Sequence, residues 1–235
     1  MNQHKPLAII LHLFYTDLWN YFLPYLNNIE VEYDLYVSVS ESEYGHPTQV
    51  YEIILQSHPD AKIYSLLNRG MDVAPFLFIL NEIHQSGARY DCLLKLHSKK
   101  SLAHSIELGE RWRNDLTKSL LESPERFNMV FSTCKNHPKY KMAGSSNWVL
   151  PQTIGGYEQQ FFNAPILFSD YYFVGGTMFL VNFDVLMSWF ISQDIFNRFY
   201  HQFEDGYIGD GSIAHQLERV FGCLMRVDGF EILKT

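Results

Sequence analysis

An α/β fold built on a largely parallel sheet is the architecture this sequence predicts. Two observations carry the expectation. Short apolar runs alternate with amphipathic stretches of helical length up to about residue 100, and the first of those runs is almost entirely apolar. Strands separated by helices of that length imply right-handed crossovers and a sheet covered on both faces. At 235 residues the chain can bury one sizeable core, so one domain spanning 1–235 is expected.

The elements follow in order. "LAIILHLF" (7–14) reads as a fully buried strand, and "DLWNYFLPYL" sets Leu18, Phe22 and Leu26 at helical spacing. "YDLYVSVS" (33–40) alternates Leu35, Val37 and Val39 with other residues, as a strand does. "TQVYEIILQS" is helical, "AKIYSLL" is a strand, and "DVAPFLFILNEIHQ" puts Val73, Phe76, Leu77, Leu80 and Ile83 on one helical face. "YDCLLKLHS" supplies a fourth strand. "IELGERWRNDLTKSLLES" predicts a helix with Leu108, Trp112, Leu116 and Leu120 inward. Segment 145–170, rich in Pro, Gly and polar residues, reads as a long functional loop or lid. "YYFVGGTMFLVN" is a strand pattern broken by paired glycines, and "DGSIAHQLERVFG" a short helix stopping at Gly222.

Four groups of residues could carry chemistry. In "NRGMDVAPF", Asn68 and Gly70 turn the chain out of a strand and Asp72 stands just before a helix. Ligands of parallel sheets bind at that carboxyl edge, although a simple N-cap worth about 1 kcal/mol also accounts for Asp72. In "LLKLHSKKS", Lys95 and His97 share one side of a central strand, with Ser98, Lys99 and Lys100 at its exit. A lysine inside a covered sheet needs a carboxylate partner or a cleft. Arg111 and Arg113 of "GERWR" could reach the same cleft, or Arg111 could pair with Glu107 on a solvated face. In "FEDGYIGDGSIAHQLER", Glu204, Asp205 and Asp210 crowd a glycine-rich approach to a helix bearing His215 and Arg219 one turn apart. Asp210 could be a cap or a general base.

Composition narrows the partners. With 18 Lys+Arg against 26 Asp+Glu and a net charge of −8, the surface should repel nucleic acid and anionic lipid, so any polyanion site is a local pocket. Three cysteines without CxxC spacing argue against a disulfide framework and fit a reducing cytoplasm. The N-terminal apolar run is too short for a spanning helix and reads as a strand, not a signal. HExxH, GxSxG and Walker motifs do not occur, and the ten histidines show no metal-ligand spacing.

Taken in series, "HLFYTDLWNYFLPYL", "NRGMDVAPFL", "LLKLHSKKS", "GERWR", "FVGGTMFLVN" and "DGSIAHQLERVFG" resemble the rhamnan synthesis protein F family of bacterial polysaccharide glycosyltransferases. The resemblance implies a GT-A-like, Rossmann-like single domain, with a nucleotide-sugar-binding half to about residue 100 and an acceptor half beyond. Such enzymes usually end the fourth strand on Asp-x-Asp, which holds a divalent cation; here "HSK" stands there. The resemblance therefore implies metal-independent transfer, with His97, Lys99, Lys100, Arg111 and Arg113 neutralising the leaving diphosphate. Its implied donor is dTDP-β-L-rhamnose, its acceptor a growing glycan or lipid-linked oligosaccharide, and its outcome inversion. Asp210 is the first choice for the base, with Asp205 and Glu204 next. His12, Tyr15, Ser38 and Ser40 would line the nucleotide pocket, while Asn68, Arg69 and Asp72 would face ribose or sugar. Gly175, Gly176 and Thr177 would let the acceptor approach the backbone. The implied setting is the cytoplasm, with peripheral contact at the inner membrane or with other polysaccharide-synthesis enzymes. The loss of Asp-x-Asp also fits a second class, a non-catalytic nucleotide-sugar or glycan-binding module of a larger assembly.

Overall fold

The computed structural model describes residues 4–41, 47–100, 106–206, 208–209 and 211–235, without the side chains of 47, 48 and 106. Asp210 lies outside the described residues. Strands β1 (Leu7–Leu13), β2 (Tyr33–Glu41), β3 (Lys62–Leu67) and β4 (Cys92–His97) alternate with helices α1 (Trp19–Leu26), α2 (Pro47–Ser57) and α3 (Val73–Ser86), as the apolar rhythm predicts. Every residue of β1 and β4 is buried, because both faces of these central strands are covered.

The second half adds α4 (Ile106–Leu121), α5 (Pro124–Asn136), β5 (Tyr140–Gly144), β6 (Val149–Thr153), β7 (Asp170–Val174), β8 (Phe179–Asn182), α6 (Phe183–Ser192), α7 (Ile195–Phe199), α8 (Ile213–Val227) and β9 (Glu231–Lys234). Seven strands form one sheet in the order β3-β2-β1-β4-β8-β5-β9. The pairs β3-β2, β2-β1, β1-β4 and β5-β9 are parallel. Strand β8 runs antiparallel to both its neighbours, so the sheet is mixed but mostly parallel, flanked by helices in a Rossmann-like arrangement. Strands β6 and β7 pair separately as an antiparallel ribbon.

This topology places the site. In β1, β2 and β4 the carboxyl ends point the same way, and the loop from β3 into α3 leaves at that edge. Because β8 is antiparallel to β4, with Lys95 opposite Phe179, the chain entering β8 through Gly175–Met178 arrives at the same edge. Phe76 of α3 meets Phe179 of β8 and Phe221 of α8 edge-on, with centroids 6.1 and 5.6 Å away. Such contacts add about 0.5–1.5 kcal/mol each beyond the area they bury. One aromatic cluster thus ties together the three elements that carry Asp72, Thr177 and Glu218.

Four expectations need correction. Leu108 is 40% exposed and Trp112 only half-buried, because the inward face of α4 is made by Leu116 and Leu120. Segment 145–170 is no lid: β6 pairs with β7, and Glu158 and Phe161 are fully buried, Glu158 accepting from the Gly155 amide and the Tyr171 hydroxyl. Helix α8 does not stop at Gly222 but continues to Val227. A Cβ on Gly222 would lie 2.1 Å from the Tyr172 carbonyl oxygen, so this glycine is where the helix crosses closely over β7, not a cap. Helices α5, α6 and α7 and strands β5 and β9 are additional to the elements read from sequence. The start of α5 carries a recognisable signal, Ser123 capping the Arg126 amide with Pro124 in the first turn.

Candidate functional site

A cleft of about 810 Å³ opens at the carboxyl edge, lined from β1, β4, the entry to α3, α4, the β6–β7 ribbon, the turn into β8 and α8. Its floor is a charge network that local sequence cannot specify. Lys95 is 1% exposed, and its ammonium donates to the Asp72 carboxylate and, at 3.0 Å, to Thr177 Oγ1. Thr177 Oγ1 in turn donates to Asp72 Oδ2 at 2.5 Å. Asp72 holds the N-cap position of α3 but makes no capping bond. The capping reading therefore fails: the side chain turns instead to Lys95.

Burial by itself would raise the proton affinity of Asp72, but His97, the Lys95 ammonium and Thr177 outweigh it and hold the carboxyl far below the usual range. Burial lowers Lys95 from the ordinary lysine value, while Asp72 works the other way. Among the described residues, Oδ2 takes both hydrogen bonds, and Oδ1 has only His97 Nδ1 at 3.9 Å. Asp72 thus keeps one oxygen for a ligand. Met71 and Thr177, on either side of this network, both have positive φ, 53° and 49°. Non-glycine residues in that region are held there by their surroundings.

Two histidines complete the floor. His97 Nε2–H donates to the Gly176 carbonyl at 2.7 Å, and burial pushes its pKa down to about 4. His12 sits beside His97 in the β1–β4 register, bonds Ser38 Oγ at 2.9 Å through Nδ1, and is lowered to about 3 by burial. Both rings are neutral at pH 7.

The wall explains the charge at the exit of β4. Lys100 is spoken for, with Nζ 2.8 and 2.9 Å from the two Asp17 oxygens and 4.7 Å from the Tyr15 ring centre. Lys99 makes no ion pair among the described residues. Its ammonium lies 3.7 Å from the centre of the Trp112 ring, which stacks on Trp148 at 4.3 Å and 15°. The indole N–H groups are anchored to Gly175 O and Asp115 Oδ2. Cation–π contact of this kind contributes about 0.5–2 kcal/mol and fixes where the charge sits.

Of the residues singled out from sequence, His12, Tyr15, Asn68, Asp72, His97, Lys99, Lys100, Gly175, Gly176, Thr177, His215 and Arg219 line the cleft, and Ser98 with them. Lys95 lies beneath it, bound to Asp72. Others stand elsewhere, each for a physical reason. Ser38 is buried behind His12, and Ser40 is buried without lining the cleft. Arg69 and Gly70 strap the neighbouring segment: Arg69 donates to the Phe203 and His201 carbonyls, and the Gly70 amide donates to Glu204 O. Asp205 is exposed and faces Arg69 at 3.8 Å, and neither it nor Glu204 lines the cleft. Arg111 is exposed on the far side of α4, and Arg113 is buried against Tyr21 while donating to Lys99 O. Gly176, at φ 90°, is glycine for the core's sake, since a Cβ would meet Leu116 and Trp112 at 2.8 and 3.0 Å.

Two residues of the site escape a sequence reading. Trp148 sits in a segment without periodicity, and Glu218 looks like one more polar position on α8. Glu218 lines the cleft, and its Oε1 accepts the Gly176 N–H at 2.6 Å. Burial raises its proton affinity. The only signal for Glu218 is spacing, His215, Glu218 and Arg219 falling at i, i+3 and i+4 on one helical face.

Among the described residues no group of three or more His, Cys, Asp or Glu side chains is arranged to hold a metal ion, and no helix is long and apolar enough to cross a membrane. A family model described as rhamnan synthesis protein F matches residues 1–229. Two curated relatives, both named "Uncharacterized protein WxcX" and from two strains of Xanthomonas campestris pv. campestris, are 26% identical over 241 residues. That alignment takes in 96% of this chain but 32% of each relative, so the chain spans about a third of their length.

Proposed function

Because the chain belongs to the rhamnan synthesis protein F family, a membership that ties it to polysaccharide synthesis, we propose that it is a glycosyltransferase domain moving L-rhamnose from dTDP-β-L-rhamnose to a growing glycan. The observation that carries this reading is Lys99, which makes no ion pair among the described residues and is held on Trp112 at a cleft whose floor presents Asp72. An ammonium with no ion pair among the described residues, in a chain of net charge −8, supports an anion as its ligand. Asp72 Oδ1 is placed to accept a hydroxyl of ribose or of the donor sugar.

The chemistry at the end of β4 is cationic, with no Asp-x-Asp pair, which suits direct contact with a diphosphate. Lys99 stabilises the charge developing on the leaving diphosphate. Lys100, neutralised by Asp17, contributes little. The acceptor is a glycan or a lipid-linked oligosaccharide, the latter met at the inner leaflet through peripheral contact or partner enzymes.

Two measurements test this. Lys99→Gln should weaken dTDP binding roughly tenfold to a hundredfold, the value of a lost charge-assisted hydrogen bond. Lys100→Gln should change it by less than about threefold, as befits an exposed ion pair. Equal effects from both, or none from Lys99→Gln, would overturn the assignment. Release of dTDP from dTDP-β-L-rhamnose should also persist in EDTA; loss that Mn²⁺ or Mg²⁺ restores would refute metal independence. Binding of dTDP with no donor turnover would mark a nucleotide-binding module instead.

A further inference from the structure

We propose that Glu218 is the proton acceptor for the hydroxyl that attacks the donor sugar. The inference rests on the glycosyltransferase reading above and adds the residue that drives its chemical step. A base must reach the cleft, keep its proton affinity and be held still. Glu218 meets all three. It projects into the cleft from the same face of α8 as His215 and Arg219. Its Oε1 is clamped by the Gly176 N–H at 2.6 Å, and the Gly176 carbonyl is itself held by His97 at 2.7 Å, so the carboxylate is fixed through a neutral backbone contact. It forms no ion pair among the described residues. Burial foremost, then neighbouring Asp72, raise its proton affinity, while the Gly176 N–H, Lys99 and His215 moderate that rise.

Among the described residues at or beside the cleft, the other carboxylates fail one requirement each. Asp72 faces the cleft but is bound by Lys95 and Thr177, which strips it of basicity. Asp17 is paired with Lys100. Asp205 is turned to Arg69, and Glu204 does not line the cleft. His12 and His97 are engaged with Ser38 and Gly176.

In the step, the acceptor oxygen bonds to the anomeric carbon from the face opposite the diphosphate. The bond from that carbon to the diphosphate oxygen breaks, and its electron pair leaves with the nucleoside diphosphate. The hydroxyl proton passes to Glu218 and then to solvent. Gly176, shared by Glu218 and His97, couples the base to the floor that holds Asp72.

The test measures dTDP release from dTDP-β-L-rhamnose by the whole chain. Glu218→Gln, which keeps an oxygen for the Gly176 N–H, should lose about 10²–10⁴-fold in turnover, the usual value of a general base. Its thermal shift with dTDP should stay as in the wild type. Azide attacks without needing deprotonation, so adding it to Glu218→Ala should restore donor consumption and yield the rhamnosyl azide of inverted configuration. A Glu218→Gln turnover within tenfold of wild type overturns the assignment, as does azide failing to rescue a Glu218→Ala protein that still shifts with dTDP. Asp210→Asn measured alongside separates the two carboxylates: an azide-rescued loss there, with Glu218→Gln active, moves the role to Asp210. A wild-type chain that never consumes the donor brings down the glycosyltransferase reading itself.

Discussion

Lys95→Met is expected to cost about 3–5 kcal/mol of stability, the range for removing one partner of a buried ion pair. The ammonium is 1% exposed and serves Asp72, Thr177 and the face of Phe76, whose centre is 5.3 Å away. Methionine fills the same volume, so the loss comes from the charge left on Asp72. For a chain of this size the melting temperature should fall by roughly 2–4 °C per kcal/mol. The second variant makes the argument strict. Lys95→Met combined with Asp72→Asn should recover most of that loss, because the uncompensated carboxylate is gone. If the double variant is as unstable as the sum of the two singles, Lys95 matters for packing and not for pairing.

Stability is expected to fall steeply on acidification from pH 6.5 towards pH 4. His12 and His97 are 5% and 7% exposed and titrate in the folded chain near 3 and 4, below the ordinary value of 6.5. Between those values and 6.5 the unfolded chain binds protons that the folded chain refuses, so stability rises with pH across the window and is lost as pH drops through it. At about 1.4 kcal/mol per pH unit for each ring, the two together account for a loss on the order of several kcal/mol. Asp72, lowered as well, extends the loss below pH 4. Glu218, raised by burial, acts in the opposite sense and blunts the slope above the ordinary carboxylate range. Urea midpoints at pH 7.5, 6 and 5 test this directly, and a midpoint unchanged from 7.5 to 5 would show that the rings take up protons in place. His97→Gln should flatten the profile, because glutamine can still donate to the Gly176 carbonyl without titrating.

Much of the site was legible before any fold was drawn. The rhythm of strand and helix predicts that residues 12, 72 and 97 share one edge, and the rule that a buried lysine needs a carboxylate partner or a cleft marks Lys95 without naming Asp72 as that partner. The structure joins them. Local rules fail where a distant element intervenes. Gly222 has the look of a helix stop, yet its closeness to Tyr172 and Phe173 makes it a crossing point. Arg69 reads as a ligand-facing cation, yet it spends its hydrogen bonds on carbonyls 132 and 134 residues away. Ser38 and Ser40 share an apolar strand with Val37 and Val39, but coverage on both faces puts the serines inside the core as well.

Sequence by itself determined the mostly parallel sheet and the gathering of Asn68, Asp72, Lys95, His97 and Lys99 at its carboxyl edge, because periodicity and right-handed crossovers are local properties. Tertiary structure alone decided which charges are spent and which are open. Lys99 and Lys100 are neighbours of identical chemistry, but one meets Asp17, 83 positions away, and the other meets Trp112. Glu218 became part of the site only because β8 runs antiparallel and brings Gly176 to the edge where α8 passes. The pairings of Lys100 with Asp17 and of Glu218 with Gly176 depend on how elements pack, and no window of local sequence contains both partners.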